Sequence, residues 1–275
     1  MLTCPVCNEL NWSKALRIRR ATLSSCGGCG LLATTSHLAG GQSIDALYDV
    51  SAKERREYEA DYLPSRLASF RKLLPLLEGF RENSRLLEIG SGYGHFLNLA
   101  CNNKWVAEGI EISTYASTVA RDLGCNIHNI PLDQLDATDN SFDVVIMWDV
   151  IEHFEHPRQI VSACAKLLRK GGALVLKTPD ARALTSLSGP IQKVYQQLVY
   201  PANTAEHIFH FTPRVLEQML RLFGFGMFSV DDRDDWNEKV ISGRNKPIRL
   251  LRRAIMAYAH ARSWPYEFVM TAIKQ

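Results

Sequence analysis

From residue 84 onward, short apolar runs alternate with stretches whose apolar residues recur every three to four positions. The runs at 85–89, 105–111, 125–130, 142–148, 172–178, 225–231 and 266–272 predict seven strands. Helical periodicity separates the first five, which predicts βαβ units and a parallel sheet. Ahead of them, residues 41–80 predict a helical connector, with Ile44, Leu47, Tyr48, Leu67, Phe70, Leu73, Leu74 and Leu77 as its apolar positions. The run Lys53-Glu54-Arg55-Arg56-Glu57 reads most simply as a solvated helix face. Tyr58 and Tyr62, ahead of Pro64, are the alternative: part of an N-terminal lid over a ligand. Two stretches do not belong to the alternating plan. One is an apolar insert at 181–204, with Leu184, Leu187, Ile191, Tyr195 and Tyr200. The other lies at about 240–263, where residues 246–263 form a basic amphipathic helix.

The first strand leads into the most informative stretch, Leu86-Leu87-Glu88-Ile89-Gly90-Ser91-Gly92-Tyr93-Gly94-His95-Phe96. A buried strand ends in a carboxylate, breaks into three alternating glycines, and resumes with Phe96, Leu97, Leu99 and Ala100 at helical spacing. Strand, tight turn and helix in this order open a doubly wound sheet, with a ligand crevice at the strand's carboxyl end. Glycines let the backbone approach a ligand, and free N–H groups at the helix start favour an anionic group. The dinucleotide fingerprint would put its third glycine at 95, where His95 stands. A second carboxylate, Glu111, ends the next strand in Gly109-Ile110-Glu111-Ile112-Ser113. At that place it can accept both hydroxyls of a ribose; the alternative is an exposed strand-end glutamate.

Glu88, Gly90, Gly92 and Gly94 resemble motif I of the class I S-adenosylmethionine-dependent methyltransferases. The resemblance implies a Rossmann-like α/β fold: a seven-stranded doubly wound sheet, six strands parallel and the last antiparallel. It also implies a methionine carboxylate at the helix N-terminus beside Gly90, Ser91, Gly92 and Gly94. The donor ammonium would meet Glu88, its ribose Glu111, with Ile112 and Trp148 beside it. Many such enzymes place an adenine-binding Asp after the third strand. Here that position falls on Pro131, so the Leu132 backbone N–H and the Asp133 carboxylate are the substitutes.

With 275 residues, the chain is long enough for one substantial α/β domain and a small appendage. Its 46% hydrophobic and 22% charged content is that of an ordinary globular protein. A net charge of +3 is too small to imply nucleic-acid binding by itself, and nucleic acid is not the expected partner. No apolar run approaches the ~20 residues of a membrane span, and no secretory signal is visible. Seven cysteines, four of them in two Cys-x-x-Cys pairs, fit a reducing compartment, so a cytoplasmic location is expected. The pairs are Cys4/Cys7 and Cys26/Cys29, spaced as in a zinc ribbon; free thiols or a redox pair are the alternative. Four thiolates suit tetrahedral, structural Zn2+, whose binding would fold a lobe (residues 1–40) too short to bury a core. Residues 81–275 then form the main domain, with both inserts.

The fourth strand ends in Trp148-Asp149-Val150-Ile151-Glu152-His153, which resembles the strand-four segment of a large bacterial methyltransferase group. Three readings stand. Asp149 caps a helix with Glu152 as its capping-box partner. His153 acts as general base for a substrate hydroxyl. Or Asp149, Glu152 and His153 hold a divalent cation, as a similar run in ubiquinone-pathway O-methyltransferases implies. Downstream, Glu206-His207-Ile208-Phe209-His210-Phe211-Thr212-Pro213 makes His207 and His210 candidates for substrate binding or base duty. Thr212 and Pro213 read as N-cap and first turn of a helix through Leu222.

Taken together, the resemblance implies a methyltransferase acting on a small-molecule acceptor, more O- than C-directed, on a saccharide or lipid-linked intermediate. Sugar C-methyltransferases share the zinc lobe. One rival is an RNA methyltransferase gripping its substrate with the ribbon, where Lys14, Arg17, Arg19 and Arg20 form the basic cluster. Another is a non-catalytic scaffold that only binds the donor. In the 246–263 helix, Arg249, Arg252, Arg253 and Arg262 beside Leu250, Leu251, Ile255 and Tyr258 suit peripheral contact with anionic lipid. Packing on the sheet edge is the plainer alternative.

Overall fold

The computed structural model describes residues 3–18, 21–35, 52–187, 189–198, 207–231, 246–262 and 264–275. Ile44, Leu47, Tyr48, Tyr200, Arg19, Arg20 and residues 240–245 therefore lie outside the described residues.

Three strands open the chain: β1 (Trp12–Ile18), β2 (Ala21–Cys26) and β3 (Leu32–Thr34). Helices α1 (Ala52–Asp61) and α2 (Leu63–Leu77) follow. The main sheet begins with β4 (Arg85–Ile89), α3 (His95–Asn102), β5 (Val106–Ile110), α4 (Thr114–Asp122) and β6 (Asn126–His128). It continues through β7 (Phe142–Trp148), α5 (Pro157–Leu167) and β8 (Leu168–Pro179). Two helices form the first insert, α6 (Arg182–Ser186) and α7 (Gly189–Leu198), and lead towards a short strand, β9 (Phe209–His210). The chain closes with α8 (Pro213–Arg221), β10 (Phe225–Asp231), α9 (Lys246–His260) and β11 (Glu267–Lys274).

The main sheet has the order β10-β11-β8-β7-β4-β5-β6. Neighbours pair in parallel except β11, which runs antiparallel to both β8 and β10. Six strands thus run one way and the last runs back, as expected. The chain reverses its winding between β4 and β7, the topological switch point at which open α/β sheets bind ligands. β7 is buried along its whole length because helices cover both faces, which explains its unbroken apolar run. One cluster packs Phe70, Leu73 and Leu77 of α2 with Phe96 and Leu97 of α3 against one face of the sheet. On the other face Val161 and Cys164 of α5 and Leu216 and Met219 of α8 meet Val145, Met147 and Leu176.

The cysteine lobe is not closed on itself. Its sheet has the order β1-β2-β3-β9, so its fourth strand comes from a segment some 175 residues downstream. Leu32 pairs with His210 and Ala33 with Phe209. Only this long-range pairing shows that the segment around 209–210 crosses to the lobe.

Candidate active site

The donor loop, Gly90–Gly94, joins β4 to α3 at the switch point. Gly90 N and Ser91 N donate to Ile110 O at 2.8 and 3.1 Å, tying the loop to the end of β5. Gly90 has φ +73°, and a Cβ there would lie 2.5 Å from Val150 Cγ2. Gly94, φ +76°, precedes the first residue of α3, and its Cβ would meet Ala120 Cβ at 2.8 Å. These positions exclude any side chain on both steric and conformational grounds.

Glu111 clamps this loop. Its Oε2 accepts from Gly92 N at 2.7 Å and its Oε1 from Ser113 N at 2.8 Å, leaving acceptor capacity on both oxygens. Burial pushes its pKa up, against the pull of the same N–H groups. Glu88 is buried at the end of β4 and its Oε2 has no partner. Burial first, and the Glu111 charge second, raise its pKa well above the carboxylate range. Ser91 Oγ and Trp148 Nε1 are also buried without partners. A buried polar atom left unpaired costs stability, and several at one crevice mark a place built for a polar ligand. An unpaired carboxylate oxygen for an ammonium, a free hydroxyl and a loop with no room for Cβ atoms suit an amino acid-bearing donor.

Around the second carboxylate, Asn129 Nδ2 donates to Glu111 O at 2.7 Å and to Ile112 O at 3.0 Å, fixing the turn that presents both residues. Ile112 is exposed and Leu132 is buried. Asp133 is exposed and lines an open groove with Arg158, Gln159 and Lys166 of α5.

Helices α1 and α2 lie over the loop. The i,i+4 pairs Lys53–Glu57 and Arg55–Glu59 line α1, in keeping with a solvated face. Yet Tyr58 reaches inward, its ring 5.5 Å from that of Tyr93 and stacked 6.1 Å from that of His95. From the first turn of α2, Arg66 meets the end of β7.

That contact corrects the reading of Asp149. Its carboxylate pairs with Arg66 at 2.5 Å and with Lys177 Nζ at 2.9 Å, and Lys177 also bonds Glu267. Although burial opposes ionisation, the two cations hold the acid well below its ordinary range. So committed, Asp149 serves neither as base nor as the third ligand beside Glu152 and His153. It caps nothing either. Asp149 has φ +56°, and the 3-10 turn Ile151–His153 has no side-chain cap.

His207 takes the place expected for Asp149. Its ring lies 4.7 Å from that of His153, nearly perpendicular at 85°. Ligand-capable atoms of Glu152, His153 and His207 all fall within 4.8 Å of one another. Glu152 is buried; its Oε2 accepts from Thr178 Oγ1 at 2.9 Å while Oε1 has no partner. Burial and the Asp149 charge push its pKa up to about 8. His207 Nδ1 is likewise unpartnered, and burial with its histidine neighbours keeps that ring neutral. His153 is only half-buried, which leaves it the most accessible of the three.

His210, the other downstream candidate, belongs to the framework. It is buried, its Nε2 lies 2.8 Å from Thr34 Oγ1, and burial lowers its pKa to about 3. Thr34 N donates to Ile208 O at 2.9 Å, and Ile208 N to Glu152 O at 2.8 Å. A continuous path of bonds thus runs from the cysteine lobe to the residues at the end of β7. Arg66, Lys177, Thr34 and Asn129 were missed in the sequence. Only Lys177 carried a signal, a lone charge at the end of the apolar run Ala173-Leu174-Val175-Leu176.

In the lobe itself, Cys4 and Cys29 sulfurs lie 3.5 Å apart and Cys7 and Cys26 sulfurs 3.4 Å, all four within 4.8 Å. A tetrahedron with Zn–S bonds of about 2.3 Å needs sulfurs about 3.8 Å apart, so the set fits. Val6 N points to Cys4 Sγ at 3.4 Å, and the Cys29 thiol's hydrogen bond lowers Cys4 to about 5. Gly28 leaves the room its turn needs, since a Cβ there would lie 2.9 Å from Cys7 Sγ.

Switch-point topology, glycine loop and strand-end carboxylates define a class I, Rossmann-like donor-binding domain. A family model described as "Methyltransferase domain" matches residues 55–230, and the chain belongs to that family: it is an S-adenosylmethionine-dependent methyltransferase. Among relatives, it is 27% identical over 165 residues to a ubiquinone biosynthesis O-methyltransferase of Idiomarina loihiensis, covering 54% of this chain and 67% of that one. An enzyme of the same description from Agrobacterium fabrum is 29% identical over 172 residues, covering 57% and 67%. The chain spans 60–67% of the length of the first such relatives. A SAM-dependent methyltransferase from Archaeoglobus fulgidus shares the fold, with a TM-score of 0.59 and 20% identity over 82% of this chain and all of that one.

Proposed function

We propose that the chain transfers a methyl group from S-adenosylmethionine to a hydroxyl of a small-molecule acceptor, a saccharide or lipid-linked intermediate. One observation carries the reading: Glu152, His153 and His207 converge at the end of β7, next to the donor loop, with two buried polar atoms unspent. When bound, the donor supplies an electrophilic methyl carbon on a sulfonium. The Gly90–Gly94 backbone and Glu88 would hold its amino-acid end and Glu111 its ribose, with Ile112, Leu132 and Trp148 beside the base and sulfur. His153 takes the proton of the acceptor hydroxyl as the oxygen attacks the methyl carbon. The donor would supply the methyl group, the electron pair of its carbon–sulfur bond leaving with sulfur. Most of the acceleration comes from positioning and exclusion of water, and the base matters because a hydroxyl ionises poorly at neutral pH.

The clustering of three ligand atoms favours a second reading of the same site. Glu152, His153 and His207 would hold a divalent cation, which would supply Lewis-acid polarisation of the acceptor oxygen. Sequence similarity to ubiquinone-pathway O-methyltransferases supports an O-directed reaction under either reading. The four lobe thiolates hold structural zinc, which ties the chain to a reducing compartment.

Release of S-adenosylhomocysteine over a panel of hydroxylated acceptors tests the function. His153→Ala should lower turnover about 100-fold or more at unchanged donor affinity. Activity that survives both His153→Ala and His207→Ala removes the proposed site. Added Mg2+ or Mn2+ that restores nothing to dialysed, zinc-replete protein excludes the cation reading.

A further inference from the structure

We propose that the face built by α7 and α9 docks on an anionic lipid bilayer. Residues 181–204 and 240–263 contain eight Lys and Arg and no Asp or Glu, leaving 24 Lys and Arg against 29 Asp and Glu for the rest of the chain. The small net charge of +3 therefore hides a local excess: the segment between β10 and β11, residues 232–266, carries eight Lys and Arg against four Asp and Glu, all four of these at 232–238, ahead of α9. Residues 181–204 add Lys193, and Arg182, which pairs with Asp180. Helix α9 is anchored through Met256 and Ala259, which pack with Tyr195 of α7 and with Ile18 and Leu23 of the cysteine lobe. Edge packing accounts for those residues but not for the outer side. There Leu250 is 64% exposed, Leu251 48% and Tyr258 37%, and Ile191 on neighbouring α7 is 47% exposed. Arg262 is exposed too, lying over the Tyr258 and Trp264 rings.

Exposed aliphatic side chains within an acid-free basic segment are what an interfacial helix needs, apolar groups to insert and cations to meet headgroups. A nucleic acid would use the cations but give leucines nothing to enter. The placement also suits delivery. β8 leads into α6 at its carboxyl end, and β11, antiparallel to it, begins beside that end, with Glu267 opposite Pro179 and Asp180 N bonded to Tyr266 O at 3.0 Å. Both inserts therefore leave the sheet at the end that carries the donor loop. This surface would bring the site to acceptors that sit in a membrane, and it stands whether or not the acceptor is of that kind.

Flotation of the zinc-loaded 275-residue chain with vesicles provides the test. Vesicles of phosphatidylcholine with phosphatidylglycerol should retain about tenfold more protein than phosphatidylcholine alone, and added salt should release it. Leu250→Asp with Leu251→Asp should reduce binding to the neutral-vesicle level at an unchanged melting temperature. Arg253→Ser with Arg262→Ser should weaken it about fivefold per charge removed, which serves as the second probe if the leucine variant melts early. Equal binding to both vesicle types, or binding indifferent to these substitutions, overturns the proposal. So does preferential retention of RNA that the leucine substitutions leave unchanged. Turnover of a water-soluble acceptor should be the same in all these variants, so failure here and failure of the methyl-transfer reading are told apart.

Discussion

The two ends of β7 are made of similar residues and treated oppositely. At its amino end Asp143 is fully buried and fully paired, although the neighbouring Ser141 Oγ is buried without a partner. Its Oδ1 accepts from Arg169 Nε at 2.5 Å, and its Oδ2 from the backbone N–H groups of Glu82 and Asn83 at 3.0 and 2.9 Å. At its carboxyl end Asp149 is also paired, but around it Glu88, Ser91, Trp148, Glu152 and His207 each keep a buried polar atom without a partner. Burial with full pairing is how a fold is stabilised; burial without it is tolerated where a ligand completes the pairing. One end of the strand therefore serves stability, and the other gives some up for binding.

Substitutions at the two ends should separate these roles. The largest effect belongs to Asp143→Ala, which takes the buried carboxylate from Arg169, leaving it Glu82 as its ion-pair partner, and leaves two N–H groups without their acceptor. It should cost about 3–5 kcal/mol in urea unfolding. Donor affinity of the protein that remains folded should not change. At the open end, Gly90→Ala drives a Cβ against Val150 in a backbone conformation that disfavours it. Donor affinity measured by calorimetry should fall about 100-fold, roughly 2.7 kcal/mol. Glu88→Gln would break the comparison most cleanly if it failed. Removing a carboxyl that resists ionisation should raise thermal stability by about 1 kcal/mol while weakening donor binding about tenfold.

The last effect is read per pH unit, as a slope of stability against pH. Glu152 is raised to about 8 in the folded state, from 4.5. Between those values the folded chain holds a proton the unfolded chain has lost, so stability falls as pH rises through that window and is flat above it. Glu152→Gln should flatten this slope, by at most about 1.4 kcal/mol per pH unit, in melts without added divalent cation. An unchanged slope would show that Glu152 ionises normally and sits in a wetter site.

How much of this was legible beforehand follows from distance along the chain. The sheet was legible, because each strand buries a contiguous run and the strand bounds fell within a few residues of those expected. The donor loop was legible because its chemistry is contiguous: strand, glycines and helix within a dozen residues, and Glu111 at the end of the adjacent strand. Thr212 was legible as a cap for the same reason, and its side chain accepts from Val215 N at 3.4 Å. The acceptor end was not. Asp149 looked local to Glu152 and His153, yet its partners come from α2 and β8, and His207 arrives from a segment held by the cysteine lobe. His210 and His207 are three residues apart and alternate in role, because the segment pairs with β3 through the one and opens to the site through the other. No local pattern records that pairing. The lobe, which reads as an independent appendage, turns out to brace the site.

The most direct measurement is calorimetric titration of S-adenosylhomocysteine into zinc-loaded wild type, Glu111→Ala and His207→Ala. Strand-end carboxylates that bind the donor, separate from histidines that serve the acceptor, predict the same affinity in wild type and His207→Ala and no heat in Glu111→Ala. No heat in the wild type, or an equal loss in both variants, would contradict the account.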